Sequence, residues 1–376
     1  MRTLLLIHGF LDDVNVWDDL VSALPADVPV IRYQLPGFGT RADDVPAELT
    51  LESLADQAGG LLDDIDSDVI VVGQSLGTQV AELVAAGHAG KVTGLVLITP
   101  VPLGGTRLPA EALAPFRNLS GDPGAQRAAR AGLSPALTDA QLDRLVRAGE
   151  SARPDVVSRY ADLWNDGVPD APPISDYTGP VLVVRGGVDS FVTDELISTI
   201  TPRFPRAKQL VIDGGGHWSH VEYADQVAAA IVAFSDEIAG GAAAASWRRA
   251  FAEQSQAAFA EAFVDDVVID ATTLMRPVVG REAVATVLGV ASSIYESLEF
   301  TAETTDGSTS YVQWRATAFG GMSIRGITIL DRDAEGRVVS AAIHHRPLAA
   351  VLRFSAEIRD RLAGTIPAEH FIQETR

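Results

Sequence analysis

Over the first hundred residues, apolar positions fall into short unbroken runs, separated by longer stretches in which they recur every three or four places. The runs at Thr3 to Ile7, Val28 to Tyr33, Val69 to Val72 and Leu95 to Ile98 predict buried strands, and the periodic stretches Leu51 to Ile65 and Ser75 to Ala86 predict helices. Strand alternating with helix is the rhythm of βαβ units, so an α/β domain with a mostly parallel sheet is expected. The pattern changes after Thr99-Pro100. From about residue 104 to 173 the chain is rich in Ala, Arg, Asp and Pro, is helical in pattern at Asp139 to Ala148 and Pro154 to Trp164, and has no strand signal. Sheet chemistry returns at Val181 to Val184 and Gln209 to Ile212, followed by a helical run from Tyr223 to Ile238. A block of helices inserted into a sheet predicts a lid.

A small-residue stretch over residues 239–246 reads as a junction between domains, here placed at 1–240 and 246–376. Beyond it the pattern predicts a helix from Trp247 to about Phe263, a strand at Val267 to Ile269 and a helix over Glu282 to Val290. Four alternating segments follow: Glu299 to Thr305, Tyr311 to Phe319, Ser323 to Arg332 and Val338 to Arg346. Turn signals at Asp306-Gly307, Gly320-Gly321 and Glu335-Gly336 separate them, which predicts an antiparallel sheet with helices on one side. The second domain is therefore expected to be α+β.

Composition narrows the function. With 47% hydrophobic and 21% charged residues, the chain has the balance of a folded globular protein. Its formal charge of -21, from 29 basic and 50 acidic side chains, would repel nucleic acid and anionic lipid, so neither is expected as a partner. No cysteine is present, which excludes disulfides and thiolate metal sites and fits a cytoplasmic location. The apolar run Leu4 to Ile7 is far too short to span a membrane.

The chemistry concentrates in Gly73-Gln74-Ser75-Leu76-Gly77, a G-x-S-x-G nucleophile elbow set between a strand and a helix. Serine needs a base to take its proton and a carboxylate to orient that base. His217, in a glycine-rich loop after one predicted strand, and Asp189, in the loop after another, occupy the sheet edge where open α/β folds place their sites. Asp194 and Asp213 are the alternative acids, and His88 and His220 read as surface residues. For the oxyanion of an acyl intermediate, donors are expected from the backbone N–H groups of Leu76 and Phe10. His8, in His8-Gly9-Phe10, reads as a brace for that turn.

Together, His8-Gly9-Phe10, Leu35-Pro36-Gly37-Phe38-Gly39, the Ser75 elbow, Gly187-Val188-Asp189 and Gly216-His217 resemble the α/β-hydrolase superfamily over residues 1–238. The serine–aspartate–histidine order is the one that family uses. The resemblance implies a cofactor-free hydrolase acting on a small molecule of the ester, thioester or lactone kind, with carbon–carbon hydrolase and perhydrolase branches open. A ligand receptor of the same fold is the alternative from another class. Two departures stand out: the chain opens on the strand leading into the oxyanion loop, which implies a smaller sheet, and Gln34 replaces the Asp many members carry there. Residues 246–376 resemble the SnoaL-like, ketosteroid-isomerase-like group of cone-shaped α+β domains, on the Phe263-Val264-Asp265-Asp266-Val267 and Gly280-Arg281-Glu282-Ala283-Val284 segments and the strand running into Arg346-Pro347. That resemblance implies a homodimer through this domain, or a cyclase or isomerase site within it. His344-His345 suggests a metal only weakly, because adjacent strand residues face opposite ways. Asp265, Asp270 and Trp314 are candidate pocket residues.

Overall fold

The computed structural model describes residues 2–150, 152–333 and 336–372, and the chain divides into two compact units between Ser235 and Asp236. The first is built on six strands, β1 (Thr3–Ile7), β2 (Val30–Tyr33), β3 (Val69–Gln74), β4 (Val92–Ile98), β5 (Val181–Gly186) and β6 (Ala207–Ile212), in the order β2-β1-β3-β4-β5-β6. Every neighbouring pair is parallel. The central strands are apolar without alternation because helices cover both faces: β1 and β3 are buried at each position. Leu51–Gly59, capped by a Thr50–Ser53 capping box, and Leu76–Gly87 contribute to this core.

Between β4 and β5 lie four helices, Ala110–Arg117, Pro123–Leu133, Asp139–Glu150 and Pro154–Asp166, and no strand among the described residues. They form the predicted insertion. Amphipathic spacing seats them: Val156, Val157, Tyr160, Ala161 and Trp164 of the last helix are buried in the main core. The Tyr160 hydroxyl donates to the Pro36 carbonyl at 2.8 Å, tying this helix to the loop after β2.

The 239–246 stretch is helical, lying within the helix Ala224–Glu253 that carries the chain from one unit to the next. Alanine is the best helix former, so a run of it propagates a helix as readily as it marks a linker. By length and composition this helix could cross a bilayer, yet Val227, Ala228, Ile231, Phe234, Trp247 and Ala250 along it are buried in the protein.

The second unit holds β7 (Phe263–Ala271), β8 (Val278–Val279), β9 (Tyr295–Asp306), β10 (Thr309–Ala318), β11 (Met322–Arg332) and β12 (Val338–Arg346), in the order β8-β7-β12-β11-β10-β9. The four predicted segments, β9 to β12, are antiparallel to one another as expected, and β7, which runs parallel to β12, makes the whole sheet mixed. Turn residues specify only sequential pairs, so they carry no information on the long-range β7–β12 pairing. The expected helix to Phe263 is also divided, with Gln254 at φ 47° and Ser255 capping a second helix, Gln256–Glu261. Of the predicted turns, Gly307, Gly320, Gly321 and Gly336 have positive φ, and Glu335 lies outside the described residues. Helices Arg281–Ser292 and Leu348–Arg361 contribute Val284, Leu288, Ala350, Phe354 and Ile358 to the core with Ile269, Trp314 and Ile343 of the sheet. A mixed sheet packed against helices is the α+β architecture that the SnoaL-like resemblance implies.

Candidate active site

Ser75 sits at the end of β3 with φ 51° and ψ -123°, a conformation side-chain-bearing residues rarely adopt. The glycines around it make that turn possible. A Cβ on Gly77 would lie 2.2 Å from the Ile7 carbonyl oxygen, and one on Gly73 would lie 2.4 Å from the Gly77 carbonyl oxygen. The backbone is anchored by the Ser75 N–H donating to the Ile98 carbonyl at 3.0 Å and by the Thr78 hydroxyl donating to the Ser75 carbonyl at 2.6 Å.

The structure brings His217 and Asp189 together. His217 Nδ1 lies 2.8 Å from Asp189 Oδ2, and Asp189 Oδ1 accepts the N–H groups of Phe191 and Val192 at 2.8 and 3.1 Å. Burial alone would raise the pKa of the Asp189 carboxyl, but the His217 ring and the two backbone N–H groups outweigh it and hold the group below its ordinary value. With Nδ1–H committed to the carboxylate, Nε2 is the ring's free acceptor, the tautomer a serine base requires. The His217 carbonyl is itself held, accepting from the Thr99 hydroxyl at 2.9 Å and from Gln74 Nε2 at 3.1 Å. Neither alternative acid meets the histidine this way: Asp194 pairs with Arg185 at 2.8 Å with its side chain largely in solvent, and Asp213 is exposed.

Phe10, Ser75 and His217 line one cleft, which Phe116, Trp164 and Phe191 help to wall. Gly9 makes the approach of the Phe10 segment possible, since a Cβ there would lie 2.1 Å from Gln74 Oε1 and 3.1 Å from Ser75 Cβ. Leu76 opens the following helix, where first-turn N–H groups have no intrahelical partner. His8 braces the turn: Nε2 accepts from Gln34 Nε2 at 2.8 Å and from the Leu35 N–H at 3.0 Å, and Nδ1 meets the Gly9 carbonyl at 2.9 Å. Gln34 thus supplies a donor to the neutral ring, whose pKa burial lowers.

The rest of the cleft is largely apolar. Phe116, Trp164 and Phe191 meet edge-on or tilted at centroid distances of 5.3 to 5.9 Å, and Phe191 packs 5.8 Å from the His217 ring. Phe116 and Trp164 come from the inserted helices, so the insertion does shape the cleft. Sequence reasoning missed Gln74 and Thr99 as supports of the histidine loop. Gln74 stood inside the elbow motif, whereas nothing in the sequence marked Thr99.

His220 corrects an expectation. It is completely buried, not on the surface, with its ring 4.7 Å from that of Trp17 and neither nitrogen partnered within the described structure. A helix start next to a catalytic loop can point inward as easily as outward, which local pattern does not reveal. Burial lowers its pKa from 6.5 to about 3, against the pull of Asp12. The unfolded chain therefore takes up this proton at a higher pH than the folded one. His220 favours the fold above pH 6.5 and progressively opposes it as pH falls toward 3. Thermal melts of His220→Phe should show a smaller loss of Tm between pH 7 and 5 than the parent, and equal losses would contradict the assignment.

In the second unit, His344 is exposed while His345 points inward, with Nδ1 3.2 Å from Thr272 Oγ1 and Nε2 3.1 Å from the Tyr295 hydroxyl. No group of three metal-ligating side chains occurs among the described residues. Trp314 lines a cavity with Tyr295 and His345, Asp265 pairs with Arg281 at 3.0 Å at the edge of a separate, open groove, and Asp270 is exposed and lines neither. Trp314 is a core residue that donates to Thr328 Oγ1 at 3.1 Å.

Residues 4–230 match the family described as the alpha/beta hydrolase family. Lipase LipV of Mycobacterium tuberculosis is 30% identical over 242 residues, covering 60% of this chain and 90% of that protein. Pimeloyl-(acyl-carrier protein) methyl ester esterase of Yersinia pseudotuberculosis is 26% identical over 253 residues, covering 62% and 93%. Among solved structures, a hydrolase from Oleispira antarctica superposes with a TM-score of 0.54 at 19% identity, covering 62% of this chain and 90% of that one, a likeness of fold.

Proposed function

The chain belongs to the alpha/beta hydrolase family, and from that premise we propose that it is a serine hydrolase cleaving a small, apolar ester through an acyl-enzyme on Ser75. His217 Nε2 takes the Ser75 proton as Oγ attacks the ester carbonyl, and the N–H groups of Phe10 and Leu76 stabilise the oxyanion. Collapse of that intermediate returns the proton from His217 to the leaving alcohol. Water, deprotonated by the same nitrogen, then releases the acid and restores Ser75. Asp189 holds the ring in the required tautomer throughout, and no cofactor takes part.

The observation that carries the reading is the Asp189–His217 hydrogen bond in the cleft that Ser75 lines. The aromatic walls favour an apolar substrate, and the two relatives named above are a lipase and a methyl ester esterase. The absence of cysteine supports a cytoplasmic location.

We assign residues 246–376 to homodimer formation through the outer sheet face. Tyr311 pairs across β10 and β11 with Ile329, and Gln313 with Ile327, and these side chains are only half-buried or exposed. Tyr311, Ile327 and Ile329 form an apolar strip, with Gln313, Arg315 and Arg325 beside it, on the face opposite the core. The full-length protein should turn over p-nitrophenyl esters and scatter light as a dimer. No turnover across a range of chain lengths would contradict the hydrolase, and a monomeric mass the dimer.

A further inference from the structure

Asp12 is completely buried on the loop that leaves β1, two residues past Phe10, and its carboxylate is held from two directions. Arg130, on the inserted helix Pro123–Leu133, donates from Nη1 to Asp12 Oδ1 at 2.7 Å and from Nη2 to the Leu11 carbonyl at 2.6 Å. Trp218, the neighbour of His217, donates Nε1 to Asp12 Oδ2 at 2.9 Å, and the Arg130 guanidinium lies 4.8 Å above its ring. The end of the same helix grips the histidine loop: the Leu133 carbonyl accepts the His217 N–H at 3.0 Å, and Ser134 Oγ accepts the Trp218 N–H at 2.9 Å. Glu222 completes the clasp, accepting the Gly216 N–H at 2.6 Å and the Ser134 hydroxyl at 3.1 Å.

A fully buried ion pair is a weak source of net stability, because both charges lose their water and apolar side chains of similar volume often serve as well. Its directionality is another matter. One charge-assisted bond from a rigid guanidinium and one indole N–H meet on the Asp12 carboxylate, and a second guanidinium bond reaches the Leu11 carbonyl, so three chain segments are fixed together. Those segments carry the Phe10 oxyanion donor, the His217 base and the inserted helix. We propose that Asp12 and Arg130 are positioning residues for hydrolysis, fixing the Phe10 N–H and the His217 ring relative to Ser75, so that this helix belongs to the catalytic apparatus and is not only a cover. The inference rests on the serine-hydrolase reading above.

The test uses the full-length protein and fluorophosphonate inactivation, with the maximal rate and the apparent affinity measured separately, alongside kcat and KM for a p-nitrophenyl ester. Asp12→Asn alone would strand the charge of Arg130, so the informative variants are Asp12→Asn/Arg130→Met, which removes both charges, and Trp218→Phe, which removes one N–H and keeps a ring. Small misplacements of reacting groups act on rate more than on binding. Arg130 and Trp218 also line the cleft, so KM and inhibitor affinity shift as well, but the pair should lose more, about 10- to 100-fold, in kcat and in maximal inactivation rate, and Trp218→Phe a smaller part of that. Folded variants reacting at the parent rate would overturn the proposal. So would a raised KM at unchanged kcat, which would make these residues pocket wall alone. If the pair does not fold, Trp218→Phe decides. A parent protein that is not labelled at Ser75 would overturn the serine-hydrolase reading itself, so the two failures are distinguishable.

Discussion

Ser75→Ala is expected to lower kcat about 10⁶-fold, equivalent to about 8 kcal/mol of transition-state stabilisation. Without Oγ no acyl-enzyme forms, and His217 is left with no nucleophile to deprotonate except water. The cleft and the N–H groups of Phe10 and Leu76 remain, so a residual rate of roughly 10³ over the uncatalysed reaction should persist. Because alanine keeps the backbone and Cβ of Ser75, the variant should fold and melt like the parent, which separates lost chemistry from lost structure. His217→Ala should cost about as much, and the double variant little more, since the two side chains act as one unit. Steady-state rates on a p-nitrophenyl ester check this, and Ser75→Ala activity within about tenfold of the parent would remove the serine from the mechanism.

Asp189→Asn should lower kcat roughly 10⁴-fold with little change in shape. Asp189 accepts three hydrogen bonds, from His217 Nδ1 and the N–H groups of Phe191 and Val192. An asparagine whose carbonyl oxygen keeps the two backbone bonds must turn its NH₂ toward Nδ1. That amide can only donate, so the ring is driven to the tautomer with its proton on Nε2 and cannot accept from Ser75. KM should change little, because the carboxylate does not belong to the cleft lining. An Asp189→Asn enzyme within about tenfold of the parent would show that His217 is oriented by another group.

The parallel sheet was legible because a strand buried on both faces must be a continuous apolar run, and β1 and β3 are such runs. The elbow was legible for a steric reason. Gly73 and Gly77 have backbone where a side chain would be, so few residues other than glycine fit there. Asp189 and His217 followed from their places after β5 and β6. What escaped depends on long-range contact. The parallel pairing of β7 with β12 joins segments far apart in sequence. Asp12 and Arg130 look like surface charges, and only the fold brings them to one buried carboxylate with Trp218. His220 is the same lesson for a ring: its burial depends on Trp17, two hundred residues earlier.

Peptide mapping after fluorophosphonate treatment of the full-length protein tests the central claim most directly. The account predicts one covalent adduct, on Ser75, formed in step with loss of esterase activity, absent from Ser75→Ala and strongly slowed in His217→Ala. An adduct on a different residue, or full esterase turnover with Ser75 unmodified, would contradict it.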